Sequence, residues 1–269
     1  MADVRHGPRD DKYLISAMLD LDAVDESDFS ELLLRWMRGF PKLVGENTSP
    51  ASVGFGFVER RDGAIEAGEL DMPALVNWIG TLPRALASFR TSGDTDTAGW
   101  SIGSSWSAGL GLSLWGIVTS DSQADESDIV EFLDSMISDT DPAFGCVSTR
   151  FAMQEDTELD YAMGRRYDES LACSREYLRG YSWITLVPNE LVHRLGGAKT
   201  IKNAGFHRVV PHFSGAAIIV AAPTGEEYPD SVPGLFRTLA PVLPPGKPKQ
   251  VYGYDLTLEW LDASDFGAV

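Results

Sequence analysis

Two stripes of apolar residues run along this chain with the same spacing. Phe29, Leu32, Leu33, Trp36 and Met37 fall at i, i+3, i+4, i+7 and i+8, and Ile129, Phe132, Leu133, Met136 and Ile137 repeat that order. Each stripe predicts a helix that buries one face. Each follows the same tetrapeptide, Asp25-Glu26-Ser27-Asp28 and Asp125-Glu126-Ser127-Asp128. Asp28 with Glu31, and Asp128 with Glu131, have the spacing of a capping box, in which a side-chain oxygen accepts from a helix N–H and an acid reaches back.

A strand-like run precedes each helix, Tyr13 to Met18 in one case and Leu110 to Thr119 in the other. Another follows each, Ser52 to Val58 and Cys146 to Met153. The expected fold class is therefore α+β: two similar strand-helix-strand halves forming a mainly antiparallel sheet packed by helices, with the two stripes side by side on one face. The expected organisation is one domain over residues 1–269, pseudo-duplicated as 12–100 and 101–243, with a C-terminal strand at 251–261.

Other segments fill in this frame. Asp71 with Pro73 opens a predicted helix carrying Leu75, Trp78, Ile79, Leu82 and Leu86 inward, and residues 91–97 read as an exposed loop. Trp100 to Trp115 predicts two antiparallel strands. The acidic run 154–160 reads as a solvated segment leading into a helix or irregular connection. Tyr181 to Val187 predicts a strand, and Pro188 opens a short helix that Gly196-Gly197 terminates. Phe206 to Pro211 and Ala216 to Ala222 predict a hairpin about Ser214-Gly215, followed by a last helix that Pro244-Pro245 ends. Residues 244–249 read as a linker.

At 269 residues and 43% hydrophobic, the chain has enough apolar material for a large core. Forty acids against 22 basic residues leave a formal charge of −18. That charge repels nucleic acid and anionic membranes and speeds encounter with a basic partner. No apolar run is long enough for a membrane helix, and residues 1–12 lack the pattern of a signal peptide. Cys146 and Cys173 have neither disulfide-scaffold density nor zinc-site spacing, which points to a reducing, cytoplasmic setting.

Catalytic motifs are missing from the sequence. His207 and His212 are spaced as neither a helical zinc pair nor a metalloprotease motif, and no nucleophile elbow, phosphate loop or dinucleotide fingerprint occurs. No metal, cofactor or catalytic residue is expected. The partner-binding candidates are two acidic clusters with aromatic neighbours: Asp94 and Asp96 with Trp100 and Trp106, and Glu155, Asp156, Glu158 and Asp160.

At Gly180-Tyr181-Ser182-Trp183-Ile184-Thr185-Leu186, Leu191, Leu195-Gly196-Gly197 and Ala217-Ile218-Ile219-Val220, the chain resembles bacterial immunity proteins, namely immunity protein 52 and the related type VI secretion immunity family of polymorphic toxin systems. Leu112 to Gly116 and the N-terminal strand and helix look similar too. The resemblance implies a cytosolic antidote that binds a cognate toxin and blocks its action without catalysis. A basic nuclease toxin suits the net charge. The alternative is an enzyme or small-molecule-binding protein with a pocket between the halves lined by Trp100, Trp106, Trp115 and Trp183.

Overall fold

The structure, a computed structural model, describes residues 13–21, 28–40, 43, 55–60, 65–68, 86–94, 98–107, 111–120, 124–149 and 156–246. Its centre is β1 (Tyr13–Leu21), every residue of which is buried from Ile15 onward. A strand buried throughout must be covered on both faces, and the apolar run of β1, broken only by Ser16 and Asp20, suits that place. It pairs antiparallel with β6 (Gly111–Ser120) on one side and β7 (Pro142–Ser148) on the other.

The remaining strands are β2 (Phe55–Arg60), β3 (Ile65–Gly68), β4 (Leu86–Asp94), β5 (Ala98–Ser107), β8 (Ile184–Val187), β9 (Arg208–Pro211) and β10 (Ala217–Val220). Together they make one ten-stranded sheet in the order β3-β2-β4-β5-β6-β1-β7-β8-β10-β9, antiparallel at every pairing among the described residues.

Side chains alternate between faces along a strand, so the register sorts them. Ile15, Ala17, Leu19 and Leu21 share a face with Leu112, Leu114, Gly116 and Val118. On this face lies α1 (Phe29–Gly39), whose following residue Phe40 fits over Gly116, where an added Cβ would overlap the Phe40 ring. Beside it lies α2 (Glu126–Ile137), with Phe132 tilted against Trp36 at 5.3 Å between ring centres. Gly39 marks the close approach, since its Cβ would overlap the Phe132 ring. Arg35 ties the helices together by donating to the Ser135 carbonyl at 3.2 Å and to Asp139 at 3.3 Å. The two stripes therefore do pack side by side, with Leu33, Trp36, Met37, Leu133, Met136 and Ile137 fully buried.

The opposite face carries Ser16, Met18, Asp20, Ser113, Trp115, Phe144 and Cys146. Over it lie α3 (Glu158–Met163) and α4 (Tyr167–Ala172), linked to the sheet through Arg179. The short helices α5 (Asn189–Arg194) and α6 (Ala198–Lys202) connect β8 to β9. Then α7 (Tyr228–Leu239) packs Phe236 against Tyr181, and a single 3-10 turn, Ala240–Val242, follows it.

Several expectations need correction. Asp28 makes no capping bond at α1, where its backbone is already helical (φ −92°, ψ −15°) instead of extended as a capping residue's is. The second helix begins three residues earlier than expected: Asp125, in extended conformation, accepts from Ser127 N at 2.7 Å, so Asp128 lies inside the first turn. Leu86 opens β4 rather than closing a helix, and residues 91–94 continue that strand rather than forming a loop. β7 spans 142–148, earlier than the run read from Cys146. The run does lead into a helix, α3, but its described part is not a solvated one: Thr157, Leu159 and Asp160 are buried, and Thr157 and Asp160 form a true capping box. The helix expected from Asp71 to Leu82, the loop residues 95–97 and the strand 251–261 lie outside the described residues.

The two strand-helix-strand units also enter the sheet differently. One strand separates β6 from β7, whereas three separate β1 from β2. By contrast, the paired strands from Trp100 to Trp115, the helix after Pro188, the left-handed Gly196-Gly197 (φ 85° and 89°) and the hairpin about Gly215 all stand as read.

Candidate functional site

Two places concentrate polar chemistry, and they differ in access. The first is a closed ionic cluster at the middle of the sheet. Asp20, Asp160 and Arg179 have no solvent-exposed side-chain surface. Arg179 donates to Asp20 at 2.5 Å, to Asp160 at 2.9 Å and to Ser170 Oγ at 3.2 Å. Ser113 donates to the other Asp20 oxygen at 2.6 Å, and Ser170 donates to the other Asp160 oxygen. The Arg179 guanidinium also lies 5.8 Å from the Phe144 ring centre and 5.2 Å from that of Tyr167, both within cation–π range.

Local sequence explains how these groups converge. Thr157 Oγ1 accepts from Asp160 N at 3.0 Å and donates to the Arg179 carbonyl at 2.8 Å, so the α3 cap and the arginine segment are pinned to one hydroxyl. Gly180 is needed beside it, since an added Cβ would press on Thr157 at 3.0 Å.

Burial pushes the Asp20 carboxyl above its ordinary value, against the pull of Arg179 and Ser113. Arg179 is held firmly protonated, because its two carboxylates outweigh its own burial. Burial likewise pushes the Cys146 thiol well up, so it is no thiolate at neutral pH. With each charge satisfied and sealed from water, the cluster is suited to holding the fold and has no opening for a substrate.

The second place is open. A recess of about 720 Å³ lies at the end of the sheet where β1 begins and β7 ends, lined by Tyr13, Leu14, Asp125, Thr149, Trp183 and Glu226 among others. Trp183 forms part of its wall, oriented by an indole N–H that donates to the Ala222 carbonyl at 2.9 Å. Thr149 donates to the Gly225 carbonyl at 3.3 Å, holding the segment after β10 against the end of β7. Glu126, at the start of α2, meets Arg208 at 3.3 Å.

The register decides where the sequence candidates fall. Asp94 ends β4 opposite Gly99, next to Trp100, and these strand ends lie at the same end of the sheet as Tyr13. Trp100 and Trp106 both belong to β5, while Asp96 and Glu155 lie outside the described residues. Glu158 is in the first turn of α3, with Asp156 just before the cap.

Asp160 is a correction: it is no surface acid but a core residue paired with Arg179. Of the described members, Asp94 and Asp160 are not brought together: the end of β4 lies at the Tyr13 end of the sheet. Asp160 meets the sheet at Asp20, roughly 23 Å along β1 from Tyr13 at 3.3 Å per residue. Of the tryptophans expected to line a pocket between the halves, Trp183 instead lines this recess at the end of the sheet, and Trp115 is buried in the core.

No protein-family model, curated protein or solved structure matches the chain. Among the described residues, no group of three or more His, Cys, Asp or Glu could hold a metal ion, and no helix is long and apolar enough to cross a membrane. His212 instead meets Ser214 at 2.9 Å and lies tilted against the Phe213 ring, while His207 faces Glu126 at 4.0 Å.

Sequence reasoning missed Asp20, Arg179 and most of the recess. Asp20 left a signal, being a lone acid in an otherwise apolar strand run, which demands a buried partner. The recess left none, because its walls come from five separate stretches of chain.

Proposed function

We propose that this protein is an antidote that binds a cognate toxin and neutralises it by occlusion, without catalysing a reaction. The observation that carries this reading is the segregation of its polar groups. Asp20, Arg179 and Cys146 are closed in the core, whereas the accessible recess is walled by aromatics of the kind interfaces use, beside carboxylates that suit a basic partner. The formal charge of −18 favours a basic toxin, whose approach it would accelerate.

The resemblance to the immunity protein 52 and type VI secretion immunity families supports the same reading, and the residues that carry it have plain architectural work here. Trp183 is bonded to Ala222, Gly196-Gly197 turns the chain after α5, and Ala217–Val220 forms β10. A motif built of turns and core strands suits a family whose members act through their surfaces.

Co-expression tests the proposal. Cells carrying an inducible toxin domain encoded beside this chain's gene should grow when the chain is co-expressed and stop growing without it. Failure to restore growth with any neighbouring toxin domain would reject the reading. The size of the recess favours, as a second reading, a small-molecule-binding protein. Turnover or tight binding of a small ligand by the purified protein would favour that instead.

A further inference from the structure

We propose that the margin of the sheet formed by α5, α6 and the β9–β10 hairpin binds an acidic segment of a partner protein, with carboxylates on Lys199 and Lys202 and an apolar residue on Phe213. The proposal goes beyond the antidote reading and does not depend on it.

Charge is spread unevenly along the chain. Acids make up 40 of the 269 residues, yet 191–225 contains none, while it holds Arg194, Lys199, Lys202, Arg208 and three of the four histidines. The fold keeps this run at one margin: β9 is last in the strand order, α6 packs on it, and Asn189 at the start of α5 abuts Gly215 in the hairpin turn. Neighbouring acids are already engaged, Glu126 with Arg208 and Glu190 with Arg175. The fully buried Ile201 turns Lys199 and Lys202 outward, three residues apart on one turn. Both are exposed, and neither forms an ion pair among the described residues. Arg194 donates to the carbonyls of Glu176 and Pro241, which orient it without cancelling its charge.

A second observation is independent of charge. Phe213, 77% exposed, stands on a fixed turn. His212 N donates to the Ala216 carbonyl at 2.8 Å, Gly215 N donates to the His212 carbonyl at 3.0 Å, and Gly215 takes the left-handed conformation (φ 92°) that this three-residue loop requires. The His212 ring lies 4.2 Å from that of Phe213. An aromatic held this way loses little freedom on contact, as an interface anchor should.

The backbone selects the mode of contact. The bond from His212 to Ala216 sets the alternation along β9, so Val210 and Arg208 bond to β10 while Val209 and Pro211 face outward. Pro211 has no N–H to offer, which disfavours extension of the sheet by a partner strand or a second copy. Charge selects the occupant. A long nucleic acid must also pass the rest of a molecule of charge −18, and two copies of it repel each other, whereas a short acidic segment meets the basic margin alone.

The test uses the full chain and a fluorescein-labelled peptide of six glutamates around one leucine, titrated by anisotropy at low salt. Lys202→Glu and Lys202→Gln alter the margin. Arg38→Glu, exposed on α1 over β6 and five strands or roughly 24 Å from β9, changes net charge as Lys202→Glu does. The wild type should bind the peptide, with affinity lowered about tenfold in Lys202→Glu, about threefold in Lys202→Gln and in Phe213→Ser, and less than about twofold in Arg38→Glu. Circular dichroism should be the same for all five proteins.

No binding, or equal loss in Lys202→Glu and Arg38→Glu, would overturn the proposal. So would tighter binding of an oligothymidylate of equal charge, which would assign the margin to nucleic acid, or self-association in sedimentation that Lys202→Glu abolishes, which would assign it to a second copy.

Discussion

Arg179 donates to Asp20 across 2.5 Å, and neither side chain reaches water. Asp160 shares the same guanidinium at 2.9 Å, so one buried cation serves two buried carboxylates. Removing the cation leaves Asp20 in the core without its ion-pair partner, and Asp160 with only Arg165 at 3.9 Å. Arg179→Met should therefore cost about 3–5 kcal/mol, seen as a lowered urea midpoint. Replacing all three together, as Asp20→Asn, Asp160→Asn and Arg179→Met, should recover much of that loss. Equal destabilisation by the single and triple changes would contradict the charge argument.

The same cluster sets a pH dependence. Asp20 is raised above its unfolded value by burial, so between the ordinary carboxylate range and its folded value the native state holds more protons. Its contribution is thus fully present below the unfolded value and is lost as pH rises through the folded one. Urea melts of wild type and Asp20→Asn, compared from about pH 4 to about pH 7, should show the wild type losing relative stability as pH rises. A difference that grows in favour of the wild type would reverse the assignment.

The repeated acidic tetrapeptide does different work in its two copies. Asp125 caps α2 through Ser127 N, whereas Asp28 makes no such bond at α1. Asp125→Ala should cost about 1 kcal/mol by thermal or urea unfolding, and Asp28→Ala less than about 0.5 kcal/mol. Equal costs would mean that both ends are capped alike.

Phe40 and Gly116 interlock, with the ring occupying the space a β-carbon at 116 would take. Phe40 is itself fully buried and stacks on Trp36 at 5.4 Å, so it has little room to retreat. Gly116→Ala should destabilise by about 1–3 kcal/mol, and pairing it with Phe40→Leu should cost less than the two separate effects combined. Strict additivity of the two changes would argue against the contact.

Much of the fold was legible because local patterns and tertiary placement agreed. The stripes of α1 and α2, the hairpin about Gly215 and the glycine stop after α5 each depend on residues close in sequence. The misreadings arose where composition and environment parted. Asp160 looked like one of a run of solvated acids, yet Arg179, nineteen residues on, draws it into the core. Asp28 and Asp125 carry the same chemistry, but only the backbone angles at each helix start decide which one caps. The recess was invisible because no single stretch of sequence contains it.

Stoichiometry tests the central claim, action by surface occlusion, most directly. Purified toxin domain assayed against increasing amounts of this chain should lose activity in proportion and reach full inhibition near one equivalent, with both proteins recovered chemically unchanged. Inhibition by far less than one equivalent, growing with incubation time, would reveal a catalyst and contradict the account.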